Sequence, residues 1–166
     1  MDSASLYETD IVAWADRQVE ELRRLQATSP SNAIDWPHLI EEIQSLGRSQ
    51  VSGVERKLVL ILSHLLKSLS APGSPAVRGW RSEVSSHQRV VRKQFSNSMR
   101  RLIDWQEVWT DARSEARDGL MEWGDALIRG LPDSNPFDLD DLVSRDFDLD
   151  HALSVLARSI RPTEGA

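Results

Sequence analysis

The chain contains no cysteine. That removes disulfide frameworks, Cys-ligated zinc, iron–sulfur clusters and cysteine nucleophiles, and it fits a reducing compartment. Long apolar runs are missing as well. The longest, Leu58 to Leu66, is interrupted by Ser63 and His64 and falls far short of the ~20 residues of a membrane-spanning helix. The first ten residues, MDSASLYETD, are acidic and carry no apolar segment of the kind a secretory signal needs. These absences read as a cytosolic protein. There is no strand-like alternation, no repeat of roughly 20–50 residues and no low-complexity tract.

Catalytic signatures are lacking too. The chain has no G-x-x-x-x-G-K-[ST] loop, no G-x-G-x-x-G, no H-E-x-x-H and no G-x-S-x-G. The paired Glu-x-x-His motif of di-metal helical bundles is also absent, because Glu41 and Glu42 are followed three residues later by Gln44 and Ser45. The sequence therefore argues against an enzyme, and it assigns no catalytic residue and no cofactor.

What is present is helical periodicity. Tyr7, Ile11, Trp14, Gln18, Leu22 and Leu25 recur every three or four residues, predicting an amphipathic helix over about 6–27. ATSPSNA, with Pro30, ends it. Asp35 then offers an N-cap and Pro37 fits a first turn. The apolar series Trp36, Ile40, Ile43, Gly47, Val51, Val54, Leu58, Ile61, Leu62, Leu65 and Leu69 predicts one long helix over about 36–70, ended by SAPGSPA. Val77, Trp80, Val84, His87, Val91 and Phe95 predict a third helix over about 76–96. Leu102, Trp105, Trp109, Ala112, Ala116, Leu120, Trp123 and Leu127 predict a fourth over about 98–129. LPDSNPFD reads as loop, and DLDDLVSR and HALSVLARSI (151–160) as short helices.

Four amphipathic stripes bury most simply against one another. The predicted fold is all-α, an antiparallel helical bundle of about four main helices with short C-terminal helices. At 166 residues the chain fits one domain, 1–166, with its core in 6–130 and an acidic loop and short helices in 131–166.

The order YETDIVAWADRQVEELR, IDWPHLIEEIQSLG, HLLK, GWRSEVSSHQR and LPDSNPFDLDDL, spread over about residues 7–147, resembles the bacterial domain-of-unknown-function family 29. The D-W-x-x-L-I-E-E-I piece (Asp35 to Ile43) and H-L-L-K (His64 to Lys67) carry most of the likeness. The resemblance implies a small all-helical protein and adds no activity. SNSM (96–99) stands where a Ser-Pro-Ser-Leu-like break belongs, and the tail from Asp150 onward goes beyond the pattern.

Charge is unevenly placed. The net is -6, yet residues 78–101 hold seven Arg or Lys against one Glu, while residues 132–150 hold seven Asp against one Arg. Arg78, Arg81, Arg89, Arg92 and Lys93 cluster on one face of the third helix, a candidate interaction surface for an acidic protein or for phosphates. The stronger expectation is neutralisation inside the chain by the acidic helices or the Asp-rich segment, with at least two of the five in internal ion pairs. Calcium in the Asp-rich segment is disfavoured, since D-L-D-D lacks the glycine and glutamate of an EF-hand loop.

His64 and His87 flank the 70–76 connection at similar distances, so they can face each other. With a carboxylate such as Glu83 or Glu115 they would make a metal site. Ordinary packing beside the core is the stronger expectation for each, and no metal is expected to copurify. Glu41, Glu42, His64 and Lys67 form a candidate polar network, although Glu42 and His64 are separated by about 33 Å on an unbroken helix. The favoured function is a non-enzymatic protein-interaction or regulatory module with an unidentified protein partner, a homodimer being one arrangement open to it. The alternatives are nucleic-acid binding by the basic face, which the acidic net charge disfavours, and a metal-binding or metal-dependent hydrolytic bundle using His64 and His87.

Overall fold

In the computed structural model, which describes residues 3–29 and 31–162, all regular structure is helical. The elements are α1 (Ser3–Thr9), α2 (Ile11–Thr28), α3 (Trp36–Ser70), α4 (Val77–Gln94), a 3-10 turn (Asn97–Met99), α5 (Trp105–Met121), α6 (Leu139–Val143) and α7 (Leu149–Ser159). The chain is thus an all-α helical bundle with four main helices and short C-terminal ones, as the periodicity predicts. Its contacts fall into two compact units: unit 1 runs to Val54 and includes Phe95–Ile103, and unit 2 comprises Glu55–Gln94 and the residues from Asp104 on.

In unit 1 the predicted first helix is two helices. Asp10 breaks it by capping α2, its Oδ1 accepting from the backbone N–H of Ala13 at 3.1 Å. The same carboxylate accepts from Ser96 Oγ at 2.8 Å and from the Ser98 backbone N–H at 3.3 Å, so a helix cap also holds the 3-10 turn. Pro30, expected to end this helix, lies outside the described residues; α2 ends at Thr28. The buried stripe of α2 is Val12, Ala15 and Val19, displaced by one residue from the predicted one. Tyr7 and Leu25 are exposed. Tyr7 instead meets Trp14 edge to face, ring centroids 4.9 Å apart. Aromatic side chains with a polar tip settle at the rim of a small core, and compact Val and Ala fill its centre.

Unit 2 is built on the second half of α3. Val54, which closes unit 1, is followed by Leu58, Ile61, Leu62, Leu65 and Leu66, all at 0–1% exposure. The 71–76 connection returns the chain as α4, antiparallel to α3. Helix α5 then runs parallel to α3: Glu55 accepts from the Asp104 backbone N–H at one end, and Lys67 packs against Gly119 at the other. Trp109, Ala112, Ala116 and Leu120 face the core at 0% exposure.

Helix α5 is shorter than predicted at both ends. Asp104 caps its start, accepting from the N–H groups of Gln106 and Glu107 at 3.1 and 2.9 Å. Gly124, at φ +77°, ends it, with the Asp125 N–H donating to Leu120 O at 3.0 Å. The predicted stripe positions Leu102 and Trp123 lie outside the helix and are exposed, Trp123 at 80%. The loop after it is tied to α5 by indole donors: Trp109 Nε1 to Pro132 O at 3.1 Å and Trp105 Nε1 to Phe137 O at 2.8 Å. Buried Gln88 of α4 reaches the end of α6, donating to Leu142 O and Ser144 O.

Trp109→Ala is expected to cost about 3–5 kcal/mol and Leu62→Ala about 2–5 kcal/mol, whereas Trp123→Ala should stay within about 0.5 kcal/mol of the parent; denaturant unfolding ranks the three. Asp10→Ala should cost about 0.5–2 kcal/mol through the lost cap alone. Burial of Asp10 works to raise its pKa, but the hydrogen bonds from Ala13, Ser98 and Ser96 outweigh it and the net shift is downward. Its stabilisation is therefore complete above the ordinary aspartate range and lost as pH falls through the lowered folded value. In urea titrations the parent and Asp10→Ala should differ at pH 7, and the difference should shrink as pH falls below the ordinary aspartate range.

Candidate functional site

The α3–α4 hairpin of unit 2 brings three potential ligands together. His64 comes from the second half of α3, while Glu83 and His87 come from one face of α4, four residues apart. One donor atom from each lies within 4.8 Å of the other two. Glu83 Oε2 approaches His87 Nε2 to 3.3 Å, and the two imidazole rings are parallel within 2° with centroids 6.4 Å apart. Nδ1 of His64 is buried with no hydrogen-bond partner among the described residues. Burial, assisted by the charge of Lys67 and by His87 and opposed by Glu83, pushes the His64 pKa down to about 4, so this imidazole is neutral at pH 7.

Lys67 stands one turn beyond His64, and its ammonium occupies the space a side chain at position 119 would need. A Cβ built on Gly119 would lie 2.6 Å from Lys67 Nζ and 2.8 Å from its Cε. Of the proposed polar network, then, His64 and Lys67 are neighbours. Glu41 and Glu42 are exposed in the first turns of α3, where they add to the charge around exposed His38. Glu115, the alternative carboxylate, instead lines a separate cleft.

The basic face of α4 is less neutralised than expected. Arg81 pairs with Asp150 at 2.7 Å. Arg78, Arg89, Arg92 and Lys93 are exposed and have no ion-pair partner among the described residues. Among the described residues one of the five, not two, is internally paired. The Asp-rich segment has a different occupation: Asp138 caps α6 and Asp148 caps α7.

A cleft of about 500 Å³ between the second half of α3 and α5 is lined by six carboxylates, Glu55, Asp104, Glu107, Asp111, Glu115 and Asp118, by the cation Arg56, and by Val59, Leu60, Val108 and Ser114. Sequence reasoning missed it. The five α5 acids, counting the cap, recur at three- and four-residue spacing, a stripe as regular as the apolar one; what was missing was the neighbour, α3, running alongside. Burial is the main cause that pushes the Glu55 carboxyl up, with Glu107, Asp104 and Asp111 adding to it against the lowering bond from Asp104 N–H.

The model of the family described as domain of unknown function DUF29 matches residues 6–148. The chain belongs to this family. A crystal structure of an alpha-helical protein of unknown function from Rhodospirillum rubrum is similar, with 31% identity, a TM-score of 0.82, and coverage of 92% of this chain and 96% of that one. No curated protein gives a significant match. These likenesses agree with the family and the helical fold read from the sequence and carry no activity with them. No helix among the described residues is long and apolar enough to cross a membrane.

Because Glu55 has a raised carboxyl pKa, its ionisation works against folding: the cost is absent at low pH and grows as pH rises through the folded value. Glu55→Gln is therefore expected to raise the melting temperature at pH 7 and to leave it unchanged near pH ~3, where both side chains are uncharged; paired thermal scans at the two pH values check this.

Proposed function

We propose that this DUF29 protein is a cytoplasmic bacterial interaction module that docks an acidic protein partner on the basic face of α4 and has no catalytic activity of its own. The observation that carries this reading is the row Arg78, Arg89, Arg92 and Lys93: four exposed cations on one helix with no ion-pair partner among the described residues. A like-charged row repels itself, and an acidic surface relieves that repulsion while steering association. Nucleic acid is the second reading of the same face. The net charge of -6 and the six-carboxylate cleft in the same unit favour a protein partner over a polyphosphate.

The test has two arms. In-cell crosslinking with a photoreactive group beside Arg89 should give a discrete adduct with an acidic protein, lost in the Arg89→Glu/Arg92→Glu double variant. Titration with duplex DNA and single-stranded RNA at two salt concentrations should show no submicromolar affinity at ~150 mM salt. Submicromolar binding that weakens steeply with salt and disappears on the same charge reversal would replace the protein partner with nucleic acid.

A further inference from the structure

We propose that His64, Glu83 and His87 form a binding site for a divalent transition-metal ion of the zinc class, with one or more coordination positions left open to solvent. Sequence reasoning ranks packing above ligation for the two histidines; the convergence of three donors is what argues for ligation. Packing explains one imidazole at a time, whereas here three donors of the right chemistry converge within 4.8 Å. Tetrahedral zinc with bonds of about 2.0–2.2 Å holds its donors roughly 3.4 Å apart. Closing the cluster to that size asks for side-chain movement, for which Glu83 is exposed and His87 half-buried.

The second, independent observation is the buried Nδ1 of His64, which has no partner among the described residues. Buried polar atoms are nearly always satisfied, and one left over points to something that belongs beside it. Two imidazoles with one carboxylate select zinc, cobalt, nickel or ferrous iron over the hard cations calcium and magnesium. Lys67 is the opposing feature: its charge acts on His64 and counts against a nearby dication. The site therefore binds reversibly rather than retaining its ion through purification, and removal of that charge should tighten it.

Zinc chloride and cobalt chloride titrated into the full chain are the probes, read by calorimetry and, for cobalt, by visible absorption. One equivalent should bind. Histidine-ring NMR should show His64 and His87 shifting on zinc addition while His38 and His151 do not. His87→Ala and Glu83→Gln sit outside the packed core and should fold; His87→Ala should weaken zinc by more than the roughly 10–100-fold that loss of a supporting partner costs, and Lys67→Met should strengthen it. The proposal is overturned if the parent binds neither metal at micromolar concentration, if His87→Ala binds as well as the parent, or if His38 or His151 carries the shifts.

Discussion

The second half of α3 is sealed over most of its circumference. Leu58, Ile61, Leu62, Ser63, Leu65, Leu66 and Ser68 are all buried, and in projection they span well over half the helix. A helix buried this way is the centre of its unit rather than one wall of it. Each of its large apolar side chains contributes on the order of 1.5–3 kcal/mol on burial, which is why α4 and α5 must lie against it. The same constraint explains the polar oddities. Ser63 Oγ is buried without a partner among the described residues, and His64 and Lys67 occupy the arc left between the packed rows. Their chemistry is set by where the apolar side chains put them.

Acidity has a structural use across the chain. Asp10, Asp104, Asp138 and Asp148 each cap a helix through a side-chain oxygen, and Asp150 pairs with Arg81. A share of the negative charge is thus committed to unsatisfied backbone N–H groups, where a carboxylate complements the helix dipole. Of the basic row on α4, Arg92 and Lys93 lie in the last turn, where a cation complements the dipole, but among the described residues only Arg81 of the row is held in an ion pair. The consequence is an asymmetry: several acids are consumed by the fold and most of the basic row is left outward.

Apolar spacing of three and four residues identified the packing face of α3, and Asp35, Pro37 and SAPGSPA placed its limits at Trp36 and Ser70. Boundaries were harder where a single capping residue decides them. Asp10 sits inside an uninterrupted helical pattern, and only its side-chain geometry shows the break. The D-W-Q-E start at Asp104 and the glycine at 124 were readable signals, outweighed by a stripe that ran through them. In α2 two stripes, one residue apart, satisfy the same period, and the bulkier one proved to be the rim. The histidines could be paired by counting from the turn and Glu83 named beside Glu115 as a carboxylate for them, but choosing Glu83 needed the facing helix. The acidic cleft depended on α3 and α5 running side by side, a relation no single segment encodes.

Gly119 couples steric and electrostatic information across helices. The residue bears no charge, yet the volume it leaves empty is where the Lys67 ammonium rests. Adding one methyl group there would evict the ammonium without altering the protein's net charge, and the distance from that charge to His64 would change with it. The proton affinity of an imidazole on α3 is thus partly written in the size of a side chain on α5. An uncharged residue works here as the setting of a local potential, and a chain that varied it could retune the histidine without touching any group that titrates.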